Sequence, residues 1–101
     1  MNLESIKNDP ELKARFVDCT SLIANICFNA WVVAGEPDAL VYIPIESIAP
    51  LMEDINKERA DEELVALSIE HLISMQLLHT EGLHKTRVAL SLPMCRQIAK
   101  K

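Results

Sequence analysis

The chain has 101 residues, half of them hydrophobic and a quarter charged, with a formal net charge of −5. That length suits one domain, spanning residues 1–101, and that composition suits a packed core and excludes a disordered chain. Only two glycines are present, Gly35 and Gly82. That excludes a glycine-rich phosphate loop, where several residues without a Cβ let backbone N–H groups close on phosphate.

Residues 1–8 are polar and mixed in charge, with no signal-peptide pattern, and are expected to be a flexible N-terminus. Asp9-Pro10-Glu11 is a strong helix start: Asp9 caps free N–H groups, Pro10 suits the first helical position, and Glu11 favours the positive helix end. The helix is expected to reach Ala34, stopped by Gly35 and Pro37. Within it Leu12, Phe16, Cys19, Ile23, Ile26, Ala30 and Val33 share one face. A second apolar face beside it holds Val17, Ala24, Phe28 and Trp31, leaving only a narrow polar stripe of Asp18, Ser21, Asn25 and Asn29. A helix so widely apolar must be covered on two sides. Either it is central to the domain, or Val17, Ala24, Phe28 and Trp31 form a dimer seam, as expected for a homodimer. The most apolar stretch, Cys19 to Ala34, carries Thr20, Ser21, Asn25 and Asn29 and is shorter than the roughly 20 residues that span a bilayer. A buried helix in a cytoplasmic protein is therefore expected, with no membrane partner.

Leu40-Val41-Tyr42-Ile43 reads as a short strand between two prolines. Ser47 is expected to cap a helix through Asn56, with Pro50 tolerated in its first turn. Residues 56–60 read as a tight polar connection. Asp61-Glu62-Glu63-Leu64 opens a helix to about Met75, with Leu64, Val65, Ile69, Leu72, Ile73 and Met75 on its core face. Residues 76–80 and 85–92 read as two strands joined by Glu81-Gly82-Leu83-His84. Pro93 is expected to end the second, before a final short helix over 94–101.

The expected class is thus mainly α with a small β-sheet (α+β). The stretch DEELVALSIEHLISMQLLHTEGLHKTRVALSLP, from Asp61 to Pro93, resembles the third helix, strand, wing turn and strand of small bacterial and phage winged helix-turn-helix proteins. The resemblance covers residues 11 to 93. It implies the order helix, strand, helix, helix, strand, wing, strand, helix, on a fold that serves DNA binders and protein-binding modules alike.

The resemblance would place the helix over 61–75 in a DNA major groove. Its outward side, however, carries Glu63, Leu67, Glu70, His71 and Ser74, and the helix contains no Lys or Arg. Residues 36–81 hold eleven acids and two bases, a balance of −9. Phosphate neutralisation and base readout both favour cations and amides over carboxylates. From Gly82 onward the sign reverses to +5, with no acid. The favoured expectation is a non-catalytic protein-interaction or dimerisation module, with Glu63, Leu67, Glu70, His71 and Ser74 as partner face. The alternative is a small DNA-binding regulator acting through a basic wing and C-terminal tail, with Lys57, Arg59, Lys85, Arg87, Arg96, Lys100 and Lys101 as contacts.

No catalytic, metal or cofactor site is expected. Cys19, Cys27 and Cys95 are odd in number and show no CxxC spacing, so they read as buried thiols in a reducing compartment. His79, Glu81 and His84 match no specific ligand spacing. Glu62-Glu63 and Glu53-Asp54 are neighbours about 100° apart on a helix, so neither pair converges on one substrate.

Overall fold

The computed structural model describes residues 2–81 and 86–100. Among these residues five α-helices accompany a three-stranded antiparallel sheet: α1 (Leu3–Lys7), α2 (Pro10–Val33), β1 (Ile43–Pro44), a 3₁₀ turn over Ile45–Ser47, α3 (Ile48–Asn56), α4 (Glu62–Ser74), β2 (Leu78–Thr80), β3 (Arg87–Leu90) and α5 (Leu92–Ala99). The class is mainly α with a small sheet.

The segment expected to be flexible is a helix from Leu3 to Lys7. Asn2 accepts the Ser5 N–H at 2.9 Å, and Ile6 is only 2 % exposed. One cap and one apolar anchor suffice to dock this turn on α2. Asp9 then caps α2, accepting from Glu11 and Leu12 N–H at 3.1 and 3.2 Å. Gly35 ends the helix in the left-handed region, φ 96°, which a Cβ would strain.

α2 is the axis of the core. Ile23 and Cys27 on it are fully buried, together with Ile48 of α3, Leu78 of β2, Val88 of β3 and Cys95 of α5. Each buried aliphatic side chain contributes about 1.5–3 kcal/mol. Trp31 is 5 % exposed and its Nε1 donates to the Pro37 carbonyl at 2.9 Å. The segment after α2 thus folds back over Trp31, which belongs to this chain's own core rather than to a seam.

The strand expected over 40–43 lies at Ile43–Pro44, where Ile43 pairs with Val88 and Pro44 with Arg87. Proline is tolerated because β1 is an edge strand, and the pairing continues through Ile45 N–H to Thr86 O at 2.8 Å. β3 is central, between β1 and β2. Its expected alternation is replaced by an unbroken buried run, Val88 to Ser91, because both of its faces are covered. Pro93 sits in the first turn of α5 rather than acting as a strand stop. Ser47 does not cap α3 with its side chain; its hydroxyl donates to Pro44 O at 2.7 Å and closes the 3₁₀ turn.

The turn from α3 to α4 is built by two side chains. Lys57 adopts φ 59° and ends α3. Glu53 reaches forward from α3 to accept the Ala60 N–H at 3.3 Å. Asp61 then caps α4, accepting the Leu64 N–H at 3.2 Å. On the far end, Met75 is 54 % exposed, not part of the core face, because the helix stops at Ser74 and Gln76 turns the chain at φ 62°.

Candidate functional site

α4 packs on α2 through Leu64, Val65, Ser68, Ile69 and Leu72, all buried. The 3.6-residue repeat then fixes what faces outward. Glu63, Ala66, Glu70 and Ser74 are exposed, while Leu67 and His71 are half-buried. His71 is held at the edge of the face by Phe16 of α2, ring centroids 5.3 Å apart and edge-on. The Ser74 hydroxyl is turned back onto the His71 carbonyl at 2.8 Å. The outward surface is therefore two carboxylates flanking a partly sunken leucine, with further carboxylates at Glu62 and at the capping Asp61.

The basic residues form no matching array among the described residues. Lys57 lies 3.8 Å from Asp54 and Arg87 lies 3.0 Å from Glu81, while Arg96 pairs with Asp38. Arg59 lines a cleft beside the α3–α4 turn, and Lys100 caps α5. Lys85 and Lys101 lie outside the described residues, as does His84.

That cleft has a volume of about 460 Å³ between α2, α3 and α4. Arg15, Asp18, Cys19, Ser21 and Asn25 of α2 line it, together with Asn56 of α3 and Arg59 of the turn that follows. Arg15 reaches across to Asp61 at 3.7 Å. The polar stripe of α2 thus faces a cleft as well as solvent. Sequence spacing places Asp18 and Asn25 on one side of α2 but gives no sign of what lies opposite.

All three thiols are buried and un-ionised. Burial raises Cys19 above its ordinary value, the neighbouring Ser68 hydroxyl opposes this, and the Asp61 charge adds to it. Burial, then the proximity of Cys95, pushes Cys27 up to about 12, and burial raises Cys95. Such thiols are poor nucleophiles. No three His, Cys, Asp or Glu side chains converge on a metal position among the described residues.

On α2, Val17 and Val32 are 51 % and 39 % exposed, Ser21 and Asn25 are exposed, and Ala24 and Phe28 are half-buried. Phe28 leans on Trp31 with ring centroids 5.9 Å apart. By length and composition α2 could cross a membrane, yet Phe16, Ile23, Ile26 and Trp31 on it are buried within the chain.

Comparison of the chain with protein-family models, with curated proteins and with solved structures finds no match.

Proposed function

We propose that this chain is a non-catalytic, protein-binding module on a winged helix-turn-helix scaffold, with the outward face of α4 docking a protein partner. In this reading α2, α3 and α4 are the three helices of the scaffold, and β2 and β3 flank the wing. The order of elements and the β1-β3-β2 sheet support it. The observation that carries it is the face of α4: Glu63 and Glu70 are exposed around Leu67, with no Lys or Arg on the helix. Set into a major groove, those carboxylates would meet phosphates and lose hydration without gaining a partner. Set against a protein, they suit a surface bearing Lys or Arg around an apolar contact for Leu67.

The DNA reading draws on one observation, the acid-free run of cations from Lys85 onward. Against it, Lys57, Arg87 and Arg96 each already lie beside a carboxylate. Neutralising phosphates would first require breaking those pairs.

A photo-crosslinking residue placed at Ala66, in the middle of the exposed face, separates the two. Irradiation in the source cells is expected to give a discrete protein adduct that disappears in the Glu70→Lys variant. A nucleic-acid adduct from the same position would overturn the proposal.

A further inference from the structure

We infer that the cleft between α2, α3 and α4 binds a small amphipathic zwitterion, an apolar amino acid or a dipeptide of such residues, held by Asp18 and Arg59. The inference is independent of what the outward face of α4 docks. It rests on two charges of opposite sign, neither of them paired, that share one cavity with an apolar lining.

The chain has four arginines, and Arg15, Arg87 and Arg96 each lie beside a carboxylate. Among the described residues Arg59 makes no such pair, and it lines the cleft. Asp18 of α2 lines the same cleft and has no cationic partner among the described residues either. The two therefore border one space without closing on each other. Arg15 and Asp61, 3.7 Å apart, already occupy one another.

The balance of charge selects the ligand. Two guanidiniums, Arg15 and Arg59, and three carboxylates, Asp18, Glu58 and Asp61, line the cleft. A phosphate or other bare anion would meet the three carboxylates, and a bare amine would meet the two guanidiniums. A molecule carrying both signs gives Arg59 an acceptor and Asp18 a donor at once. A guanidinium is a planar fork that matches a carboxylate, and an aspartate accepts from an ammonium. Asn25 and Asn56 also line the cleft and can donate to or accept from a peptide group.

The remaining lining asks for an apolar body. Leu22, Met52, Leu64 and Val65 all contribute to it. A hydrocarbon side chain laid there removes apolar surface from water, which a sugar or a purely polar zwitterion does not. The volume of about 460 Å³ lies within the roughly 300–1,000 Å³ of small-molecule sites. From Arg15 to Asn25 the axis of α2 rises about 15 Å, room for a dipeptide as well as for one amino acid. Asp18 and Arg59 are both exposed, so water competes at each charged end and the affinity is expected in the millimolar range.

Amide NMR titration of the full chain with L-leucine and with L-leucyl-L-leucine tests this. Signals of Leu22, Ala60 and Leu64 are expected to shift saturably while those of Glu70 and Ser74 stay in place, and the tighter of the two probes identifies the size of ligand that fits. N-acetyl-leucine, without the ammonium, and leucinamide, without the carboxylate, are expected to bind about tenfold more weakly than leucine. Asp18→Asn and Arg59→Gln, both at exposed positions, are expected to weaken leucine by a similar factor, with circular dichroism checking the fold. N-acetyl-leucine is expected to lose nothing in Asp18→Asn, and leucinamide nothing in Arg59→Gln. No saturable shift with either zwitterion at tens of millimolar, analogues that bind as well as leucine, or variants that bind leucine like wild type would overturn the inference.

Discussion

Trp31 Nε1 donates to the Pro37 carbonyl oxygen at 2.9 Å, and this bond fastens the chain back onto α2 after the helix ends. It explains how a 24-residue apolar helix in so small a chain covers its largest side chain without a second subunit. Removing the donor while keeping an aromatic ring tests it. Trp31→Phe leaves a partly buried carbonyl unpaired and is expected to cost about 1–2 kcal/mol. Urea denaturation followed by far-UV circular dichroism measures it.

Ser68 is fully buried on α4, and its hydroxyl has no hydrogen-bond partner among the described residues. A thiol such as the neighbouring Cys19 is a weak partner. Ser68→Ala removes an unpaid desolvation penalty and is expected to stabilise the protein by about 1 kcal/mol. A higher denaturation midpoint with unchanged slope is the expected readout; a loss of stability would mean that the hydroxyl is satisfied.

Asp61 serves α4 twice, as cap for Leu64 N–H and as partner of Arg15. The two roles separate by substitution. Asp61→Ala is expected to cost about 1–2 kcal/mol, because the cap is lost. Asp61→Asn keeps an acceptor and loses only a solvent-screened ion pair, for a cost below about 1 kcal/mol. Equal losses in the two variants would place the weight on charge instead of capping.

Cys27 ties stability to alkaline pH. Its thiol ionises at an ordinary value of 9.0 when exposed and at about 12 in the folded chain. Between these values the unfolded chain holds fewer protons than the folded one. Stability is therefore complete below pH 9 and falls as pH rises, by up to about 1.4 kcal/mol per pH unit for one group. Cys19 and Cys95 act in the same direction. In Cys27→Ala the decline is expected to be shallower, and denaturation midpoints taken from pH 8 to pH 11 test this.

The strong local signals in the sequence match the fold where capping chemistry decides. Asp9-Pro10 starts α2, Gly35 ends it, and Asp61 starts α4. The 3.6-residue repeat alone puts Glu63, Glu70 and Ser74 on the exposed side of α4. Four features were not legible because they depend on distant partners. Ile6 lies in a largely polar stretch whose other helical apolar residue, Leu3, is exposed, and only the surface of α2 makes it an anchor. Ser68 reads as an ordinary polar position, yet it lies midway between Leu64 and Leu72 on the packed face. The cleft between Asp18 and Arg59 joins residues far apart in sequence, so nothing local announces it. Ala89 reads as the polar-side member of an alternating strand, and only the central place of β3 buries it.

The sign of charge on α4 decides between a protein and a nucleic-acid partner, and one titration addresses it. Backbone amide signals of Glu63, Ala66, Leu67, Glu70 and Ser74 are followed by NMR while a generic DNA duplex is added at about 150 mM salt, where surface charges act over roughly 8 Å. These signals are expected to stay in place through excess duplex. Saturable shifts across α4, abolished by Glu70→Ala, would show that this helix enters DNA and would contradict the account.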